Sequence, residues 1–278
     1  MSSEHQSAST GTQVTPAVFS SAELSAETSV PLPYQAVRKR RLFTVFLVLL
    51  TILLLFGAIV LIFHFCNPYQ RYLRRNPFDY RKGEISSDPF SNSNNSIARA
   101  IAESIDDQAV SISAAKLEYT PDMTLLPTVT FYDYQHLGQN SRVNIETAMD
   151  NWMFTASLDA LSKGNDCFVR DNDRWISDAV IQMPNLYQYC FAVESSENNT
   201  ISYYNSFSST VGETQYECEI WLMETKKNQH IVYDTLYRYY HNDTLCAVRV
   251  LPSDTTEMLI YQIASYSLEP DFSEDWFS

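Results

Sequence analysis

Residues 42–63 read LFTVFLVLLTILLLFGAIVLIF, 22 positions without a charge whose only polar members are Thr44 and Thr51. At ~1.5 Å per residue this is ~33 Å of helix, enough to cross a ~30 Å hydrocarbon core. A cleaved signal peptide has a shorter apolar stretch, ~7–15 residues, close to the N-terminus. Here the run is longer and follows 41 residues without an apolar stretch, so residues 42–66 are expected to be an uncleaved signal-anchor in the lipid bilayer. Everything else in the chain must fold on one side of it or the other.

Charge alone leaves the side open. Arg38, Lys39, Arg40 and Arg41 abut the run on one flank, and Arg71, Arg74, Arg75, Arg81 and Lys82 follow it on the other. The tighter N-terminal cluster weakly favours a cytosolic N-terminus. The N-x-[ST] tripeptides at Asn94, Asn198 and Asn242 all lie beyond the run, as glycosylation acceptors would in a lumenal domain. Cys167, Cys190, Cys218 and Cys246 lie there too, an even number suited to disulfides in an oxidising compartment. The expectation is a type II membrane glycoprotein of the secretory pathway and cell surface. Cys66, at the outer end of the run, is left to face lipid or to link a homodimer.

Along the chain, residues 1–41 are rich in Ser, Thr, Ala and Glu without an apolar period and read as a disordered cytosolic tail. Tyr34 and Val37 in it fit a tyrosine-based sorting signal, as against plain tail. Residues 67–104 read as juxtamembrane stalk and linker, where Arg and Tyr anchor at the headgroups and Arg71-Tyr72-Leu73-Arg74 is a minimal convertase site. Within it Ser96 can cap a short helix carrying Ile97, Ile101 and Ile105.

Residues 105–265 are dominated by short runs rich in Val, Ile, Tyr and Thr between turn residues, including 179–183 and 187–195. Residues 143–161 are the exception and are expected to be helical, with Ala148, Trp152, Thr155 and Leu158 on one face. Residues 266–278 form an acidic tail. The fold class is therefore α+β, a single-pass helix followed by a mainly antiparallel, disulfide-linked sheet domain with flanking helices.

From Gly83 onward there are 10 basic and 29 acidic residues, which excludes nucleic acid as a partner. Six glycines leave no phosphate-cradling loop, and no nucleophile–base motif is present. His64, His136, His230 and His241 are scattered without metal-ligand spacing, so no metal and no cofactor is expected. Asp171-Asn172-Asp173 has the D-x-D form that can grip a metal–diphosphate in a small lumenal transferase, but a turn after the preceding strand is the simpler account. No enzyme is expected.

Thr155-Ala156-Ser157-Leu158-Asp159 followed by Cys167-Phe168-Val169 resembles the BRICHOS domain. Cys218-Glu219-Ile220-Trp221-Leu222 is similar to its second cysteine segment, and Cys246-Ala247-Val248-Arg249-Val250 with Glu257-Met258-Leu259-Ile260 resembles the end of the BRI (integral membrane protein type 2) branch. The resemblance implies a Cys167–Cys218 disulfide, leaving Cys190 to pair with Cys246, and makes Asp159 the family's acidic residue on or near a helix. It also implies an intramolecular chaperone whose client is the chain's own β-prone C-terminal segment, residues 228–265, or another unfolded polypeptide. A type II ligand or adhesion ectodomain that binds another protein is the alternative, on the strength of 18 Tyr and 15 Phe.

Overall fold

The computed structural model describes residues 34–89, 96–106, 108–151, 155–164, 166–178, 180–181, 183–196, 199–227, 230–272 and 277. It divides into two compact units, residues 1–56 and 57–278. Helix α1, Tyr34–Cys66, begins in the first and ends in the second. Its segment Arg41–Cys66 is long and apolar enough to cross a membrane, and none of it is buried. Asn67 ends α1 because Pro68 follows: the residue before a proline is held extended, here at φ −61°, ψ 120°. Proline then suits the first turn of the next helix, α2 (Pro68–Arg75), which Asn67 caps.

The second unit is built on one antiparallel sheet. After β1 (Glu84–Ser86) and helix α3 (Ile97–Glu103) come six strands in sequence: β2 (Val110–Tyr119), β3 (Leu125–Leu137), β4 (Asn140–Met149), β5 (Thr155–Lys163), β6 (Asp166–Asp171) and β7 (Arg174–Ser177). Helix α4 (Leu186–Cys190) precedes a second run of β8 (Asn199–Val211), β9 (Thr214–Lys227), β10 (His230–His241), β11 (Thr244–Pro252) and β12 (Met258–Ser267). Each run is a meander, and β12 pairs with β2 to join them in the order β1-β8-β9-β10-β11-β12-β2-β3-β4-β5-β6-β7. Two-residue turns set the register. Asn242-Asp243, with φ of 51° and 60°, is of the mirror-image type that matches strand twist.

Apolar residues are buried on both faces of the sheet. In β2, Val110, Ile112 and Ala114 belong to one core and Ala115, Leu117 and Tyr119 to the other. Because strand side chains alternate, odd and even positions serve different faces. The first core lies beneath α3 and α4, which contribute Ile97, Ile101, Leu186 and Cys190. The second receives Tyr69 and Leu73 of α2 and Phe78, so the segment expected as a stalk packs against the sheet. Ser96 caps α3 through the Arg99 amide, as its sequence suggests.

Residues 143–161 are not helical; they supply β4 and β5. Val143, Ile145 and Thr147 alternate with Asn144, Glu146 and Ala148, and this period of two prevails over the helical spacing. Trp152 of that expected helical face lies outside the described residues. Residues 187–195 are not a strand either. Their first turn is α4, because Leu186, Cys190 and Phe191 fill the first core at helical spacing. The β-prone C-terminal segment forms β10, β11 and β12, interior strands of the sheet.

Candidate functional site

A groove opens where α2 lies over β3, β4 and β5. The Asn67 side chain accepts from the Gln70 amide at 3.0 Å and donates through Nδ2 to the Asp150 carbonyl at 2.7 Å, which fixes the start of α2 at the end of β4. Burial of Tyr69 and Leu73 fixes its roll. The Tyr72 hydroxyl donates to the Gln262 side chain, and the Tyr72 ring meets Phe131 edge-on with centroids 5.2 Å apart. Arg74 turns back to α1: its Nη2 donates to the His64 carbonyl at 3.1 Å and its guanidinium lies 5.0 Å from the Phe65 ring. A cation among the last carbonyls of a helix is the favourable placement.

Arg71 and Arg75 then lie one turn apart, and both are exposed. With Pro68, Tyr72, Phe131, Glu146 and Thr155 they line a cavity of about 520 Å³. Phe131 and Glu146 are direct partners across β3 and β4. Among the described residues no ion pair links Arg71, Arg75 or Glu146 to an opposite charge. The groove thus has an aromatic floor, two free guanidinium groups and one free carboxylate. The sequence places Arg71, Tyr72 and Arg75 in a headgroup-anchoring stretch and does not single out Phe131 or Glu146. The available signal was two arginines four apart on a proline-started helix.

The chain from Asn76 to Glu84 secures this face. Phe78 is buried against Tyr216 and Tyr239, with centroids 5.2 and 4.8 Å away. Glu84 accepts from Ser209 at 2.6 Å, Tyr239 at 2.9 Å and Tyr80 at 2.8 Å, and pairs with Arg249 at 2.9 Å. Burial pushes the Glu84 carboxyl upward, but Arg249 and these hydroxyls outweigh it and hold its pKa below the ordinary value.

On the opposite face two charges hold the covering helices. Glu219 of β9 accepts from Ser96 at 2.9 Å, the Ile97 amide at 2.6 Å and the Trp221 indole at 3.0 Å. Arg238 of β10, fully buried, donates to the carbonyls of Tyr189, Gln188 and Ala192 at 2.7–2.9 Å around the end of α4. Nearby, Ser141 Oγ lies 2.8 Å from His136 Nδ1 and 3.0 Å from the Tyr134 hydroxyl. Tyr187 stacks on His136 at 4.3 Å, and burial lowers the His136 pKa to about 4. Ser141 and His136 are both buried, and His136 Nε2 has no hydrogen-bond partner among the described residues.

The other expected site residues are dispersed. The five cysteines are free. Cys167 on β6 and Cys218 on β9 are separated by seven intervening strands, and Cys190 of α4 belongs to the first core whereas Cys246 packs against the other. The expected disulfide-linked domain is therefore not observed. Asp159 is in strand β5, not on a helix, where it pairs with Arg142 at 2.9 Å and Arg170 at 3.5 Å. Asn172 and Asp173 form the β6–β7 turn, and no group of three or more His, Cys, Asp or Glu able to hold a metal occurs among the described residues. Arg71 and Arg74 of the minimal convertase site are within α2, and Tyr34 and Val37 begin α1. Asn242 is exposed at a hairpin tip; Asn94 and Asn198 lie outside the described residues. Cys66 is exposed.

No protein-family model and no curated protein matches the sequence. Solved structures similar to it include the LolA superfamily protein NE2245 from Nitrosomonas europaea (TM-score 0.36, 12% identity, covering 65% of this chain and 97% of that one). They also include LprF from Mycobacterium bovis (0.33, 11%, 64% and 96%) and a DUF1329 family protein from Desulfovibrio piger (0.35, 12%, 66% and 94%). Likeness of this degree assigns neither family nor activity. The BRICHOS resemblance is nevertheless overturned. No family model supports it, and its two cysteine segments, Cys167 on β6 and Cys218 on β9, lie on strands that do not meet. With it goes the intramolecular chaperone, whose expected client is a set of interior strands.

Proposed function

We propose that this chain is a non-enzymatic, single-pass type II membrane protein whose acidic sheet domain is held against the outer surface of the bilayer. The observation that carries the reading is the passage from α1 to α2. An apolar segment, Arg41–Cys66, with none of its length buried is followed, after Asn67 alone, by an amphipathic helix that packs Tyr69 and Leu73 on the sheet and leaves Arg71 and Arg75 exposed. Residues 67–82 hold five basic side chains and one acidic, against 10 and 29 in the rest of the domain. A basic collar at headgroup depth attracts anionic lipid, while the acidic remainder is repelled from it.

The type II orientation draws support from the basic cluster at residues 38–41 and from Asn242, an exposed acceptor on a tight turn. The cysteines no longer contribute to that argument, since none is paired. Trypsin treatment of sealed microsomes containing the full chain tests the reading. Removal of the N-terminal tail with residues 67–278 protected is the expected pattern. Digestion of the sheet domain in sealed vesicles would refute it.

A further inference from the structure

We infer that the groove between α2 and β3–β5 binds the headgroup of one phospholipid carrying both a phosphate and a primary amine, drawn from the bilayer that α1 crosses. This specifies the ligand of the membrane-surface domain proposed above and rests on that reading.

Charge and place both point to this occupant. Arg71 and Arg75, four residues apart on one helix, offer two guanidinium groups to one cavity, and guanidinium pairs phosphate oxygens with directed hydrogen bonds. Neither is neutralised by an ion pair among the described residues. Glu146 lines the same cavity and is likewise without an ion pair, so the site also offers an acceptor for an ammonium group. A headgroup with phosphate alone would leave that carboxylate beside its own negative charge. Ethanolamine and serine headgroups place an ammonium two carbons from the phosphate ester and answer both charges. The Tyr72 and Phe131 rings give the glycerol and first methylenes an apolar wall. Pro68, on the rim, is two residues from the end of α1, so the cavity begins where the span leaves the bilayer.

The test is native mass spectrometry of the full chain purified in detergent and exchanged into micelles doped equally with phosphatidylserine, phosphatidylethanolamine, phosphatidylglycerol and phosphatidylcholine. The expected result is one retained lipid per chain, with the serine and ethanolamine forms preferred at least fivefold over the glycerol form. Arg71→Gln with Arg75→Gln should lower retention at least tenfold, and Glu146→Gln should abolish the preference for an amine while keeping phosphate binding. Equal retention of phosphatidylglycerol by the native chain, or unchanged retention in the double variant, would overturn the inference. Because Glu146→Gln alters only one exposed contact, it remains informative if the double variant fails to fold. Microsomal protease protection is read independently of lipid retention, so a reversed topology and an empty groove give different results.

Discussion

Glu219 and Arg238 are direct partners in the β9–β10 register, yet no ion pair joins them. Glu219 satisfies the start of α3, and Arg238 satisfies the end of α4. The signs match the helix ends they serve, since exposed amides favour an anion and exposed carbonyls a cation. One cross-strand pair thereby fastens both helices that cover the first core.

Removing either charge should be costly. Glu219→Ala leaves the Ser96 hydroxyl, the Ile97 amide and the Trp221 indole without their acceptor beside a buried arginine, a loss of about 3–5 kcal/mol. Arg238→Met should cost a similar amount through the α4 carbonyls. The double variant should lose less than the sum, because each single variant leaves an uncompensated charge. Denaturant midpoints of the full chain in detergent measure all three.

Acid should weaken the domain through His136. Its folded pKa of about 4 lies below the unfolded value near 6.5, so between these pH values the unfolded chain binds the extra proton. The stabilisation of the neutral ring is complete above pH 6.5, falls as pH drops through that window and levels off near pH 4. The total is about 3 kcal/mol. His136→Asn should flatten this slope. Unfolding midpoints measured from pH 7.5 to 4 would reveal it, and a variant with the native slope would exclude His136 as its source.

Glu84 acts in a lower range. Its folded pKa is depressed, so its contribution is present above the ordinary carboxylate range and disappears as pH falls through the folded value. Glu84→Gln should therefore weaken the attachment of β1 and residues 76–84 at neutral pH and lose its penalty in strong acid. Amide exchange at Gly83 to Ser86 should rise at pH 7 in the variant.

The cysteines give a chemical test of the topology of the sheet. Alkylation of the full chain unfolded without reductant should modify all five. Recovery of a Cys167–Cys218 peptide would require β6 and β9 to meet and would contradict the strand order.

Much of this arrangement was legible in the residues. The apolar run, the Ser96 cap, the Asn172-Asp173 turn and most strands follow from local chemistry that survives in the fold. What failed was long-range. The β4–β5 hairpin was hidden because residues 148–158 also satisfy a helical period, and only pairing with β3 and β6 decides between them. α4 was hidden because Tyr187 and Tyr189 favour strands, and the helix owes its place to a core and an arginine contributed from elsewhere. The short Cys-centred segments suggested a family, but a motif carries no strand order. Glu219 and Arg238 left no trace of their own, because Glu217 and Glu224 share β9 and Asp234 shares β10; their hydrogen bonds to α3 and α4 are what set them apart. The groove depends on α2 lying over β3–β5, which nothing local to residues 68–75 specifies.

In the proposed arrangement the sheet domain rests on the bilayer through α2 and the groove beside it. Hydrogen–deuterium exchange of the full chain in nanodiscs tests it most directly, comparing discs of phosphatidylcholine with discs that also contain phosphatidylserine. The account predicts slower exchange in residues 67–82 and in the neighbouring ends of β3, β4 and β5 when the charged lipid is present, with the Asn242-Asp243 turn unchanged. Identical exchange in both discs, or protection confined to strands remote from α2, would contradict it.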